Sequence, residues 1–209
     1  MKTPLVLAST SPRRSEILRM AGYMFEVIPS QFEEPGHSEG QSDPIFYAQE
    51  MALEKGKEVF ERLEKERVVL SADTVGLVDG EVLEKPKDRE DAARMLRSLS
   101  GKTHVVITAF AIFFPEKREP ICQKIETKVT FKQLSEDEID SYLNHEEYLD
   151  KAAAYAIQGL ASVFVEKVEG DYFNVVGLPI CQINKVLEGE NIGPNGCDAL
   201  HYNIVYCFI

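Results

Sequence analysis

Tryptophan is absent from this sequence, and its four cysteines and four histidines are too scattered to organise a site by themselves. Cys122, Cys181, Cys197 and Cys207 include no C-x-x-C pair, so the spacing gives neither a zinc motif nor a disulfide framework. Reduced thiols in the cytoplasm are the simplest expectation. His37, His104, His145 and His201 show no ligand spacing, and no metal is assigned to them. Long apolar runs are missing too: no window approaches the roughly 18–20 residues that span a bilayer. Residues Met1 to Ala8 lack the apolar core and small-residue cleavage site of a secretory signal. A cytoplasmic protein without membrane contact is expected. Positive charge is in short supply, with 23 Lys and Arg against 35 Asp and Glu and a net charge of −12. That disfavours a surface for polymeric nucleic acid, which needs clustered cations to neutralise phosphates. A small anionic substrate remains open if the few cations gather in one cleft.

What is present reads as an ordinary globular chain of 209 residues, 44% hydrophobic and 28% charged. Leu5 to Ala8 reads as a buried strand, and Ser11-Pro12 opens a helix, Ser as N-cap and Pro at the first position. Ile17, Leu18 and Ala21 share a face of that helix, which Gly22 stops. Phe25 to Ile28 is a second strand, the polar stretch from Ser30 to Pro44 a mobile loop, and Ile45 to Glu66 a helix. Val68 to Ala72 reads as a strand ending at Asp73-Thr74, with Val75 to Val78 continuing into an Asp79-Gly80 hairpin turn. Asp88 caps a helix with Ala92, Met95, Leu96 and Leu99 on its apolar side. Val105 to Phe114 and Ile125 to Phe131 are strands, and Ser135 with Glu138 forms a capping box. Val163 to Val165 and Tyr172 to Val176 are expected to form a strand pair, before a helix near Pro179. The mixture lacks strict βαβ alternation, so the expected class is α/β with a mixed sheet.

Several residues stand out chemically. Arg13 and Arg14 lie in the opening turn of a helix, the wrong end of its dipole for cations. With the Ser9 and Ser11 hydroxyls and free N–H groups they suit a phosphate cradle, or else they are two solvated arginines. Asp73 follows an apolar strand, where open α/β sheets present groups to ligands; it either holds a divalent ion or water, or forms a turn. Glu33 and Glu34 offer hard oxygen ligands, or a solvated pair, and Lys55 alone reads as a surface lysine. Lys85 is held extended by Pro86 and either reaches a phosphate or faces water. Asp150-Lys151 and Gln158-Gly159 flank an Ala-rich segment; Gln158 either pairs with a base edge or belongs to an ordinary loop. No Ser-His-Asp or Cys-His set competes. Basic phosphate holders with several carboxylates suit metal-assisted attack of water on a phosphoryl group.

The runs Leu7 to Arg14 (LASTSPRR), Ala72-Asp73-Thr74 and Leu83 to Pro86 (LEKP) resemble the Maf family of nucleotide pyrophosphatases. So do Ala92 to His104 (AARMLRSLSGKTH), Glu126 to Phe131 (ETKVTF), Asp150 to Gly159 (DKAAAYAIQG) and Asn174 to Pro179 (NVVGLP). The likeness runs in order through about residues 4 to 188. It implies an inosine triphosphate pyrophosphatase-like fold: a bent mixed β-sheet flanked by helices, with two lobes around a cleft. It implies one domain over residues 1–188 and leaves 189–209 as an unmatched tail. It implies hydrolysis of nucleoside triphosphates to monophosphate and pyrophosphate, with Mg²⁺ or Mn²⁺ and as a homodimer. By position, Ser9, Arg13, Arg14, Lys55 and Lys85 would contact the triphosphate. Glu34 and Asp73 would bind the metal, Asp73 also acting as proton acceptor, and Arg13, Thr74 and Gln158 match positions linked to base choice. The pattern is similar to the branch preferring dTTP and UTP, a housecleaning role. A nucleotide-binding regulator of cell division with little turnover and a purine, ITP-type pyrophosphatase are the alternatives. The family usually carries glycine where Ala153 and Ala156 stand, and alanine resists positive φ, so a differently shaped loop is expected before Gln158.

Overall fold

A computed structural model describes residues 5–35 and 44–194. In chain order the elements are β1 (Leu5–Leu7), α1 (Pro12–Met20), β2 (Phe25–Val27), α2 (Pro44–Arg62), β3 (Val69–Val78) and β4 (Glu81–Leu83). They continue with α3 (Arg89–Leu99), β5 (Thr103–Phe113), β6 (Ile121–Phe131), α4 (Glu136–Leu143), β7 (Val165–Glu169), α5 (Tyr172–Val176) and α6 (Ile180–Gly189). Two 3-10 turns, Ala152–Ala154 and Leu160–Phe164, lie between α4 and β7.

The seven strands form one mixed sheet in the order β2-β1-β3-β5-β6-β7, with β4 paired to β3. β1 runs parallel to both β2 and β3, and every other pairing is antiparallel. Apolar side chains cover both faces, as period-2 alternation along long strands requires. On one face, Val69, Val75, Ile107, Ala109 and Phe113 pack beneath Ala48, Met51, Ala52 and Val59 of α2. On the other, Leu70, Val106, Phe110 and Phe131 pack with Ile17 of α1, Leu96 of α3, Ile139 of α4 and Ile183 of α6. Gly56 lets α2 press close to the sheet: a Cβ there would collide with the Ser71 hydroxyl and the Phe113 ring. Among the described residues, no helix is long and apolar enough to cross a membrane.

The caps follow the sequence where side chains were available. Asp88 accepts from Asp91 N at 2.8 Å, and Ser135 and Glu138 complete their capping box. Ser11 holds the N-cap position of α1 but makes no side-chain cap bond.

Three expectations need correction. Asp73 and Thr74 do not end a strand, because β3 runs unbroken through them; β5 pairs with it from Val69 to Leu77 and carries it across. Tyr172 to Val176 is not a strand but the helix α5. Its β-branched content is overruled by ends that fix a turn, Asp171 accepting from Phe173 N and Asn174 N, and Gly177 at φ 116°. Val163 accordingly lies in a 3-10 turn, and β7 pairs with β6 instead. Third, Ala153 takes up positive φ (59°), as does Ala154 (59°), whereas Ala156 does not. Of the expected mobile loop, residues 36–43 lie outside the described residues, as do 195–209 of the expected tail. The start of that tail is attached: Lys117 pairs with Glu190 at 2.6 Å and Ile192 packs on the core.

His104, in β5, is buried, with Nε2 at 2.8 Å from the Tyr155 hydroxyl and no partner for Nδ1 among the described residues. Burial lowers its pKa from 6.5 to about 4. The unfolded ring therefore binds a proton near pH 6.5 and the folded ring only near pH 4, so stability drops as pH falls across that window. The loss amounts to about 3 kcal/mol at most. Thermal midpoints measured from pH 7 to pH 4 are expected to fall less steeply in His104→Gln than in the parent, and parallel curves would contradict this.

Candidate active site

The sheet leaves one strand half-paired, and the candidate site lies there. β1 pairs with β3 only through Val69 and Leu70, and β4 joins only at Gly76 to Val78. Among the described residues, residues 71–75 of β3 thus have a strand partner, β5, on one side alone. The turn Ser9-Thr10-Ser11 and the first turn of α1 lead from the end of β1 into a cleft of about 710 Å³, which Asp73 and Thr74 also line. Residues 8–14, 30, 32, 34, 55, 73, 74, 76 and 85 line it, together with residues 106, 147, 150–153, 155–159 and 175–177.

Successive residues of β3 serve opposite faces. Asp73 lies on the face covered by α2. There Lys55 Nζ bonds Asp73 Oδ1 at 2.7 Å and Glu34 Oε1 at 2.9 Å. Burial pushes the Asp73 carboxyl above its usual range, against the pull of Lys55 and Arg14, and Glu34 adds repulsion. Thr74 points the other way. Its hydroxyl lies 3.0 Å from that of Thr108, its cross-strand neighbour in β5.

Arg14 joins three elements. Its Nε donates to the Gly177 carbonyl at 2.9 Å, Nη1 to Ser9 Oγ at 3.2 Å, and Nη2 to Thr74 Oγ1 at 3.1 Å. Burial lowers its pKa, opposed first by Asp73. Among the described residues, the remaining N–H groups on its terminal nitrogens have no partner and can meet a ligand. Arg13 is half-buried on the cleft wall; its pKa is lowered by burial, and its buried Nε has no partner among the described residues. Buried donors without acceptors are costly, and the positive charge of this side chain stands at the cleft.

The predicted residues therefore converge. Ser9, Arg13, Arg14, Glu34, Lys55, Asp73 and Thr74 line the cleft with Lys85 and Gln158, both exposed. Glu33 is exposed and does not line it. Sequence reasoning missed Thr108 and Asn174, both fully buried. One signal was available, a lone hydroxyl inside the apolar run Val105 to Phe114. It gave Glu147 no role and left Asp150 and Lys151 in an ordinary loop, although all three line the cleft. The Lys151 pKa is lowered, first by burial and then by Arg13.

Among the described residues, no three His, Cys, Asp or Glu side chains converge to hold a metal. Two carboxylates do meet, on Lys55. That donor set fits Mg²⁺ or a similar hard cation, which keeps waters and is held by one or two carboxylates plus substrate phosphates.

On one face of the half-paired strand Asp73 meets the ammonium of Lys55 from α2, and on the other Thr74 meets the tethered guanidinium of Arg14 from α1, an α/β site whose chemistry suits small anions. The chain belongs to the Maf-like protein family, whose profile matches residues 4–190. A dTTP/UTP pyrophosphatase of Citrifermentans bemidjiense is 48% identical over 180 residues, 86% of this chain and 91% of its own length. Those of Alkaliphilus oremlandii (46% over 186 residues, 89% and 95%) and Caldanaerobacter subterraneus (42% over 187 residues, 89% and 88%) are similar. A solved nucleoside-triphosphatase / dITP/XTP pyrophosphatase from Mycobacterium abscessus covers 63% of this chain and 76% of its own, at 18% identity and a TM-score of 0.42. That likeness is too slight to carry an argument.

Two stability effects follow. Lys55→Met leaves a buried carboxylate unpaired and is expected to lower unfolding free energy in urea at pH 7 by about 3 kcal/mol. Adding Asp73→Asn should recover part of the loss, and a Lys55→Met protein as stable as the parent would contradict the pairing. Ala153→Gly relieves left-handed strain that costs roughly 1–2 kcal/mol, less the extra unfolded-state entropy of glycine. A rise of about 1–3 °C in Tm is expected by calorimetry, and a fall would show that alanine is at ease there.

Proposed function

We propose that this chain hydrolyses nucleoside triphosphates, dTTP and UTP foremost and modified pyrimidine nucleotides with them, to monophosphate and pyrophosphate. The observation that carries the reading is the Glu34–Lys55–Asp73 cluster gathered with Arg13 and Arg14 in one cleft. Its likeness to relatives named dTTP/UTP pyrophosphatase supports the base class. The role is removal of unwanted nucleotides from the pool.

Catalysis here is a matter of position and charge. Arg14 holds the phosphate chain with N–H groups that the described residues leave unused, and Arg13 adds a second positive charge beside it. Lys85 reaches the leaving pyrophosphate from the rim. Asp73 takes the proton of the attacking water, and its raised pKa suits a base working in a dry site. Lys55 keeps that carboxyl ionised by standing 2.7 Å away. Mg²⁺ or Mn²⁺, held by Glu34 and Asp73, would neutralise phosphate charge and help acidify the water. Gln158 and Thr74, both on the cleft wall, contribute to base choice.

We infer further that the enzyme is cytosolic, works on free nucleotides rather than nucleic acid or membranes, and forms a homodimer. The net charge of −12 supports the second point, and the free thiols of Cys122 and Cys181 agree with the first.

Asp73→Asn tests the base. It is expected to keep the parent's circular dichroism spectrum and to lose about a hundredfold or more in kcat with dTTP. Because the parent needs an ionised Asp73, its kcat/KM should fall as pH drops through a value above the ordinary aspartate range. Near-normal turnover in the variant would remove Asp73 from the role. Pyrophosphate released from ITP in preference to dTTP and UTP would overturn the pyrimidine assignment.

A further inference from the structure

The sequence motif Asn174 to Pro179 has no role in the chemistry above, and Thr108 is a lone hydroxyl in an apolar strand. Structure joins them. Thr108 Oγ1 lies 2.8 Å from the Asn174 carbonyl, and Thr108 N donates to Asn174 Oδ1 at 3.1 Å. The Asn174 amide in turn donates to the Val106 carbonyl at 3.0 Å and to Thr127 Oγ1 at 2.9 Å. Asn174 and Thr108 are 0% exposed and Thr127 1%, so this is a satisfied polar network inside an otherwise apolar face.

Its direction can be followed proton by proton. The single hydroxyl proton of Thr108 goes to the Asn174 carbonyl, so Thr108 can only accept from Thr74. Thr74 then donates to Thr108 and accepts from Arg14 Nη2. A second route reaches the same guanidinium. Gly177 N donates to the Asn174 carbonyl and Leu178 N to the Phe173 carbonyl, a Schellman close that turns the Gly177 carbonyl onto Arg14 Nε at 2.9 Å. Asn174 thus stands behind two of the bonds that Arg14 makes to protein.

We propose that Thr108 and Asn174 are positioning residues for the triphosphate site, holding the Arg14 guanidinium in place through the Thr74 hydroxyl and the Gly177 carbonyl. The proposal rests on the reading of the cleft as a triphosphate site. Neither residue lines the cleft, and both act through Arg14. A buried network fixes geometry more sharply than apolar packing does, because each displaced member leaves a polar group unpaired. Removing the Thr108 hydroxyl leaves the Asn174 carbonyl its bond from Gly177 N, so Thr108→Val separates positioning from folding.

The test is calorimetric binding of inorganic tripolyphosphate to the full chain, which needs no turnover. Thr108→Val is expected to weaken binding about tenfold, and Thr108→Ser to stay within about twofold of the parent. In an Arg14→Lys background, adding Thr108→Val should change affinity by less than about twofold, since the hydroxyl acts through the guanidinium already removed. Unchanged affinity in Thr108→Val, or losses that multiply in the double variant, would overturn the proposal. Should Thr108→Val not fold, Thr127→Val, at the far end of the network, is expected to weaken binding about threefold, and parent-like binding there would overturn it equally. A parent that binds tripolyphosphate but releases no pyrophosphate from any nucleotide would sink the function proposed above and leave this comparison standing.

Discussion

Everything at the site hangs on the gap beside β3, where, among the described residues, the backbone of residues 71–75 pairs with β5 alone. A strand in mid-sheet usually has both edges occupied, and an open stretch must find other company for its polar groups. Side chains from outside the sheet gather beside this stretch and bond its side chains. Lys55 comes down from α2 on one face, and Arg14 comes across from α1 on the other. The alternation of a strand then does something a loop could not. It presents a carboxylate and a hydroxyl from adjacent residues, Asp73 and Thr74, to opposite faces while keeping both at one cleft.

The two faces are held differently. On the α2 face the forces are ionic: a lysine shared between two carboxylates, with burial raising one of them. Close approach of α2, permitted by Gly56, brings Lys55 within 2.7 Å of Asp73. On the opposite face the forces are mostly neutral hydrogen bonds, running from Arg14 through Thr74 and Thr108 to Asn174. Arg14 is the hinge between them, since its charge is felt by Asp73 while its N–H groups are tied to Ser9, Thr74 and Gly177. A desolvated guanidinium with fixed partners and spare donors is a preorganised anion site.

Much of this was legible in the sequence, for identifiable reasons. Two arginines at the start of a helix violate the dipole rule, and a violation of local preference marks function. Pro12, Asp88 and the Ser135–Glu138 box specify helix starts through local chemistry, and each start is where it was expected. The failures came where local preference met tertiary context. Val175 and Val176 favour strand, but Asp171 and Gly177 at the two ends decide in favour of helix. Asp73 and Thr74 read as a strand end because they are polar, yet nine consecutive partners in β5 carry the strand past them. Alanine at 153 argued against positive φ, and the surrounding fold imposes it nonetheless. Thr108 and Asn174 were invisible as a pair because 66 positions separate them, and no spacing rule links residues that distant.

Central to the account is an attack by water, activated at Asp73, on the α-phosphorus. The most direct measurement is single-turnover hydrolysis of dTTP in ¹⁸O-enriched water, with both products analysed by mass spectrometry. The account predicts one ¹⁸O atom in the nucleoside monophosphate and none in the pyrophosphate. Label in the pyrophosphate, or release of orthophosphate in its place, would contradict it.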